Sequence, residues 1–91
     1  MEMNADFDNK ILEIIAGAVP GKFKKTRIVP ETHLQKELGL DSIGVLSLVF
    51  MFEEAFSIDI AQSGVKVDIA KLRTVRDVLD AGRQVMSKTL V

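Results

Sequence analysis

Apolar residues recur at every third or fourth position along three stretches of this chain, the spacing of one helical face. The pattern predicts helices from about Asp6 to Val19, from Ser42 to Phe56, and from Thr74 onward. The first must stop before Pro20-Gly21, because proline lacks the amide that a helix needs. The third opens with the capping box Thr74 to Asp77, whose end side chains can satisfy each other's free amides.

The segments between these helices predict little further regular structure. Residues 20–41 form a long connection, which leucines at 34, 38 and 40 pin to the core, with a short turn of helix after Thr32. A loop containing Ser63-Gly64 precedes a short helix over Val67 to Leu72. No run alternates well enough to indicate a strand. We therefore expect an all-α bundle of three main helices plus a short third one, with a long loop between helices one and two.

The central helix carries two separate apolar faces. Its core stripe consists of Val45, Leu48, Val49, Phe52 and Phe56. Ile43, Leu46 and Phe50 form a second row that is rotated well away from the first. A helix of this kind must be covered on both faces or must present one of them to a ligand or partner.

Composition limits the class of protein. The 91 residues make one domain, residues 1–91, in which 1–5 and 88–91 are expected to fray. There is no cysteine, and His33 is the single histidine, so disulfides and metal clusters are not expected. The start of the chain resembles neither a secretory signal nor a membrane span. We expect a soluble, cytoplasmic protein that does not insert into membranes.

Charge is unevenly distributed along the chain. Residues 31–59 hold six acidic and one basic residue, a net charge of −5, although the whole chain carries only −1. This acidic centre favours a basic partner surface and argues against nucleic acid. The basic segment Lys22 to Arg27 has two open interpretations, a solvated loop surface or a partner-binding patch.

Familiar catalytic patterns are missing. The sequence has neither a glycine-rich phosphate loop nor GxSxG, and Glu53 and Glu54 are adjacent helix positions that point about 100° apart. No catalytic residue is therefore expected. Ser42 keeps two interpretations: with Asp41 it is a preferred helix cap, and a serine at a helix start is also a good acceptor for a phosphodiester.

The segment Leu38-Gly39-Leu40-Asp41-Ser42-Ile43 resembles the attachment motif of acyl carrier proteins. The similarity extends upstream through Ile28 to Leu34. Downstream it includes Phe56 to Ile60 and Leu72 to Val78. It thus covers almost the whole chain.

The resemblance implies a four-helix carrier that catalyses no reaction. A phosphopantetheinyl transferase would attach phosphopantetheine from coenzyme A to Ser42, and the thiol of that arm would hold an acyl group as a thioester. Asp41 would be the acidic neighbour that the transferase recognises, and Gly39 would let the loop backbone pass close to the helix start. The other implied partners are acyl-loading and acyl-processing enzymes, which act on a carrier that we expect to be monomeric.

Within this interpretation the apolar residues near Ser42 gain a candidate role. The residues expected to line an acyl cavity between the helices are Ile43, Leu46, Ile60, Ile69 and Leu72. Those expected to dock partners are Phe50, Glu53 and Glu54.

The chain also departs from the family pattern. Gly44 and Ser47 stand where carriers of fatty-acid synthesis commonly have acids, which favours a specialised carrier over a housekeeping one. The pathway expected is a fatty-acid, specialised-lipid or polyketide pathway. Two alternatives stay open: a peptidyl carrier for aminoacyl groups, and an interaction module that keeps the fold without using the arm.

Overall fold

The computed structural model describes the backbone of residues 3–89 and the side chains of residues 6–88. Five α-helices follow one another in this range: α1 (Met3–Ala18), α2 (Leu34–Leu38), α3 (Ser42–Phe56), α4 (Ile60–Ser63) and α5 (Val75–Thr89). Two 3-10 turns, Gly21–Phe23 and Ile69–Lys71, complete the regular structure, and the described residues contain no strand. The expected all-α bundle is confirmed. None of the described helices is both long and apolar enough to cross a membrane.

One apolar core joins the three long helices. Its buried side chains include Ile11 and Ile15 from α1, Leu48 from α3 and Val75 from α5. Phe7, Phe52 and Phe56 stack beside them, with ring centroids 4.8–6.2 Å apart. Aromatic groups that meet at these tilted and edge-on angles add to the stability gained from area burial alone. The stripe predicted on α3 is the face that the core covers.

Gly82 sets how closely α5 approaches the other long helices. A Cβ atom at this position would lie 2.7 Å from Cδ1 of Ile11 and 3.3 Å from Cε2 of Phe52. Such distances are shorter than van der Waals contact, so only glycine allows this packing without a shift of the neighbours. This side of the bundle is therefore tightly filled.

Three backbone hydrogen bonds tie the long connection after α1 to the start of α5. The donors and acceptors are Leu34 N to Arg73 O (2.8 Å), Val75 N to Thr32 O (3.0 Å) and Arg76 N to Pro30 O (2.9 Å). Together they form an isolated antiparallel bridge centred on His33 and Thr74. The bridge places α2 next to the amino terminus of α5.

Thr32 supports the bridge from inside the connection. It is a buried polar residue, and its hydroxyl accepts a hydrogen bond from Val29 N (2.9 Å) and donates one to Arg27 O (3.1 Å). Both bonds satisfy groups that would be costly to bury unpaired. The connection is thus a folded segment, as the predicted contacts of Leu34, Leu38 and Leu40 with the core required.

The structure corrects several predicted boundaries. The chain forms α4 at Ile60–Ser63, where a loop was expected, and the short helix predicted over Val67 to Leu72 is only the 3-10 turn Ile69–Lys71. Helix α1 starts at Met3, before the predicted Asp6. The fraying expected for 1–5 and 88–91 falls partly on residues 1, 2, 90 and 91, which lie outside the described residues, and it stays a prediction.

The basic segment Lys22 to Arg27 lies at the end of α1. Its four cationic side chains are exposed, and within the described part of the chain none of them pairs with a carboxylate. Lys24 Nζ donates to the carbonyl oxygen of Ala16 at 2.6 Å. A cation there satisfies one of the carbonyls left free at a helix carboxyl terminus and complements the helix dipole.

The predicted capping box at the start of α5 is present. Asp77 Oδ2 accepts from the amides of Arg73 (3.0 Å) and Thr74 (3.1 Å), and Thr74 Oγ1 accepts from Asp77 N (3.3 Å). Partial burial raises the pKa of Asp77, but the hydrogen bonds from Arg73 and Thr74 outweigh it, so the pKa lies below its ordinary value of 3.8. The carboxylate is therefore held in its charged form.

Replacing Phe52 with Ala should lower the free energy of unfolding by roughly 3–5 kcal/mol, because it empties space in the aromatic cluster. Phe50→Ala on the same helix is the matched control, since Phe50 is 60% exposed and Phe52 only 8%. Chemical denaturation followed by circular dichroism measures both. Equal losses in the two variants would contradict the assignment of their faces.

Replacing Asp77 with Ala should cost about 0.5–2 kcal/mol at neutral pH, the usual value of a lost cap. Because folding lowers the pKa of Asp77, its contribution is complete above the ordinary pKa of 3.8 and is lost as the pH falls through the folded value. The difference between wild type and variant should therefore shrink in acid. Asp80→Ala, an exposed position on the same helix, serves as control. A difference that stays constant from neutral pH to pH 2 would refute this linkage.

Candidate functional site

Ser42 is the first residue of α3, and its side chain is exposed. The cap is supplied by Asp41, whose backbone is extended and whose Oδ1 accepts a hydrogen bond from Gly44 N at 2.9 Å. The interpretation of Ser42 as the cap is therefore wrong, because its neighbour already performs that role. Within the described residues, the Ser42 hydroxyl has no hydrogen-bond partner.

The loop that presents Ser42 is shaped by the short helix α2. His33 caps α2: its Nδ1 accepts a hydrogen bond from Lys36 N (3.1 Å). Glu37 Oε2 accepts from His33 N (3.0 Å), which satisfies the amide at the same end of the helix. At the other end, Leu40 N donates to Leu34 O (2.9 Å), so the chain turns sharply toward Ser42.

Gly39 makes this turn possible. Its φ of 68° lies in the left-handed region, where side chains are disfavoured, and its amide donates to Gln35 O at 3.1 Å. A Cβ atom here would lie 2.5 Å from Cε2 of Phe23. Gly39 thus ends α2 and receives the Phe23 ring, which fixes the basic segment beside the loop of Ser42. Its close packing partner is this ring rather than the start of α3.

An open groove of about 700 Å³ lies beside Ser42. Its walls come from α2, the start of α3 and the segment that leads into α5. Of the predicted site residues it brings together Asp41, Ser42, Ile43, Leu46, Ile69 and Leu72. Apolar side chains cover most of it, and charged groups stand at its rim.

A second space, an apolar cavity of about 40 Å³ that is partly open to solvent, lies between α3 and α5. The residues that line it are Leu48, Val49, Phe52, Ile60, Val67, Leu72, Val78, Ala81, Gly82 and Val85. All of them are apolar. The cavity and the groove share one lining residue, Leu72.

The five residues predicted to form one acyl cavity are therefore divided between two spaces. Ile43, Leu46 and Ile69 line only the open groove, and Ile43 is 73% exposed. Ile60 lines only the small cavity. Leu72 lines both.

The three predicted docking residues differ in their availability. Phe50 and Glu54 are exposed on α3. Glu53 is half-buried, and its Oε2 accepts a hydrogen bond from Ile60 N at 2.9 Å, which holds the start of α4. One oxygen of this carboxylate is therefore engaged inside the chain.

The groove rim includes residues that sequence reasoning did not assign to the site, namely Lys36 and Arg73, together with His33. They approach one another because the backbone bridge brings residues 32–34 to residues 73–75. Residue types and spacing carry no signal for a contact between segments that are forty positions apart. The sequence alone gave no means of finding these residues.

The arrangement suits a covalently attached phosphodiester. The amino terminus of α3, a fifteen-residue helix, has free amides and the positive end of the helix dipole, which favour an anion. Asp41 occupies only the amide of Gly44, and the exposed hydroxyl of Ser42 faces a groove large enough for a flexible arm. Among the described residues, no group of three His, Asp or Glu side chains is placed to hold a metal ion.

Ser42→Ala should change the free energy of unfolding by less than about 0.5 kcal/mol, as expected of a surface position without partners. Asp41→Ala should lower it by about 0.5–2 kcal/mol, because Gly44 N loses its capping carboxylate. Urea denaturation of both variants beside wild type measures the difference. A larger loss for Ser42→Ala than for Asp41→Ala would show that the cap has been assigned to the wrong residue.

Comparisons with known proteins agree with this geometry. Residues 9–81 match the family model described as "Phosphopantetheine attachment site". The chain is 38% identical over 71 residues to an acyl carrier protein of Syntrophobacter fumaroxidans. The aligned residues cover 78% of this chain and 80% of that relative. It is 35% identical over 71 residues to an acyl carrier protein of Desulforapulum autotrophicum, and the aligned residues cover 78% of this chain and 86% of that relative. The chain therefore belongs to the acyl carrier protein family, as its motif predicts: it is a non-catalytic carrier with a covalently attached phosphopantetheine.

Proposed function

We propose that Ser42 bears the phosphopantetheine arm and that the chain is a specialised carrier of acyl intermediates for a fatty-acid, specialised-lipid or polyketide pathway. The observation that carries the proposal is the exposed serine at the start of α3, which Asp41 relieves of the capping role. The groove beside it supports the same conclusion. When bound, the arm supplies a thiol that holds an acyl group as a thioester.

Attachment requires little of this chain beyond presentation. The Ser42 oxygen forms a bond to phosphorus while the pyrophosphate bond of coenzyme A breaks. Adenosine 3′,5′-bisphosphate leaves with the electron pair, and the serine proton passes to a base of the transferase or to water. Asp41 holds the first turn of α3 in place, and the helix amino terminus stabilises the new negative charge.

The lining of the two spaces supports an acyl cargo over an aminoacyl one. The small cavity is lined by apolar residues alone, a surrounding in which an ammonium group would be costly to bury. The groove carries two cations, Lys36 and Arg73, against one carboxylate, Asp41, a balance that disfavours the amine of an aminoacyl group. The peptidyl carrier is therefore the weaker candidate.

The outer face of α3 supports partner enzymes that dock through apolar contacts. Ile43, Leu46, Phe50 and Met51 are exposed large apolar residues, and α3 has no acidic residue before Glu53. Partner enzymes would meet this face through apolar contacts at Phe50, with Glu54 as the carboxylate that stays free. Loss of the usual acids would weaken steering toward basic docking surfaces. A chain without cysteine, with no membrane-crossing helix described, fits action in the cytoplasm.

Incubating the apo protein with coenzyme A and a broad-specificity phosphopantetheinyl transferase should add one phosphopantetheine mass, measured by intact-protein mass spectrometry. Ser42→Ala should add none, although it remains folded. Ser47→Ala is the matched control, an exposed serine five residues further along α3 that should leave modification intact. Identical spectra for wild type and Ser42→Ala would end the proposal and favour an interaction module that does not use the arm.

A further inference from the structure

Lys36 and Arg73 are cationic residues that line the groove beside Ser42 from two different elements. Lys36 belongs to α2, and Arg73 lies in the segment that leads into α5. We propose that these two side chains bind the phosphodiester of the arm and direct the arm along the groove, an inference that rests on the proposed function of Ser42. They act after attachment, as positioning residues.

The backbone groups of both residues are engaged in the fold, whereas their charged side chains are free. Lys36 N donates to His33 Nδ1 at 3.1 Å, and Arg73 O accepts from Leu34 N at 2.8 Å. Arg73 N donates to Asp77 Oδ2 at 3.0 Å. Among the described residues, neither side chain makes a hydrogen bond or a salt bridge. The fold therefore fixes both positions without using either charge.

The carboxylates that could neutralise these cations already have partners. Asp41 is the one carboxylate among the residues that line the groove, and its Oδ1 accepts from Gly44 N. Asp77 interacts with Arg73 electrostatically but does not pair with its guanidinium, and its Oδ2 accepts two backbone amides. Apart from His33, the groove thus has one positive charge in excess. A phosphodiester carries the single negative charge that balances it, and both Lys and Arg bind phosphate oxygens well.

The covalent link to Ser42 makes these exposed cations effective. An ion pair at the surface contributes little by itself, because water and salt compete for both partners. A phosphate attached to Ser42 does not come from bulk solution, however, since the serine lines the same groove. Its effective concentration there is in the range reached by short linkers, so even a weak contact is populated.

The apolar part of the groove matches the part of the arm that follows the phosphate. The carbon atoms next to the phosphodiester of phosphopantetheine include a quaternary carbon with two methyl groups. Ile43, Leu46 and Ile69 line the groove, and Ile43 is 73% exposed. An arm that lies there removes this apolar surface and its own methyl groups from water. Cations and apolar side chains therefore favour the same path.

This path leaves the expected docking residues uncovered. Phe50 and Glu54 are exposed on α3, but neither lines the groove. An arm bound beside Lys36 and Arg73 and a partner enzyme bound at Phe50 thus occupy different parts of the surface.

The phosphorus atom of the arm is the probe in the test. Apo wild type, Lys36→Gln/Arg73→Gln and the control Lys66→Gln/Lys71→Gln are loaded from coenzyme A with a broad-specificity phosphopantetheinyl transferase, and loading is checked by mass. The control removes the same two positive charges at exposed positions that do not line the groove. Phosphorus-31 NMR gives the chemical shift and line width of the phosphodiester in each holo protein.

A second measurement needs no variant. The side-chain Nε–Hε signal of Arg73 is compared between apo and holo wild type, with that of Arg76 as internal control because Arg76 is paired with Glu31. Attachment should shift the Arg73 signal and leave the Arg76 signal in place.

In the phosphorus spectrum, Lys36→Gln/Arg73→Gln should shift the resonance and narrow it by at least one third, because the phosphate moves more freely. The control should keep the wild-type shift and width. Added salt should move the wild-type resonance toward that of Lys36→Gln/Arg73→Gln, since it screens exposed charges. The single variants Lys36→Gln and Arg73→Gln should change the resonance in the same direction, and they replace the double variant if it unfolds.

Wild type loaded from acetyl- and succinyl-coenzyme A separates two sources of the anion. An Arg73 shift that is present in the holo form and kept with both cargoes supports the phosphodiester. A shift that appears only with the succinyl group would overturn this assignment in favour of a carboxylate on the cargo.

Equal phosphorus signals in wild type and Lys36→Gln/Arg73→Gln would also overturn the proposed role of the two cations. Equal changes in both double variants would do the same, because they would report net charge rather than a site. In each of these cases the arm is attached, so the proposed function stands. Failure of wild type to gain any mass is a different result, which refutes that function and this inference with it.

Discussion

The antiparallel bridge between residues 32–34 and 73–75 is the constraint on which the site depends. It closes a loop of about forty residues, which carries an entropic cost that neighbouring interactions must offset. Two helix caps stand directly at the bridge, His33 with Glu37 on α2 and Thr74 with Asp77 on α5. Because caps and bridge share the same few residues, each fixes the backbone torsions that the others need. The groove beside Ser42 exists only because this junction sets α2 against the segment before α5.

Helix α3 combines structural and functional duties by separating them around its axis. Phe52 and Leu48 face the core, whereas Phe50 and Ile43 face outward. The same separation holds at its ends. Asp41 provides the cap while Ser42 stays exposed, and Glu53 holds α4 while Glu54 remains at the surface. Chemistry at the exposed positions therefore changes without disturbing the groups that hold the fold.

Local sequence signals predicted those parts of the structure that local physics determines. The bounds of α3 and the capping box at Thr74 both follow from residue type and spacing within one element. Helix α4 was missed because four residues show no periodicity, and because its first amide is satisfied by Glu53, seven positions away. Periodicity also placed Ile43 on an apolar face without indicating that nothing covers it. The choice of Asp41 over Ser42 as cap depends on a backbone torsion that two neighbouring cap-forming residues leave undetermined.

Gly44 has a consequence for how the carrier could change partners in evolution. A Cβ atom at this position would lie 3.1 Å from Cδ2 of Leu40, a buried side chain, so any larger residue requires that leucine to shift by a few tenths of an ångström. Ser47 is exposed, and its hydroxyl only bonds back to the carbonyl of Ile43. Neither position carries an acidic residue, but an acid is easier to accommodate at Ser47 than at Gly44. A lineage gaining a negatively charged recognition surface would do so more readily at Ser47 than at Gly44, where Leu40 must shift to make room.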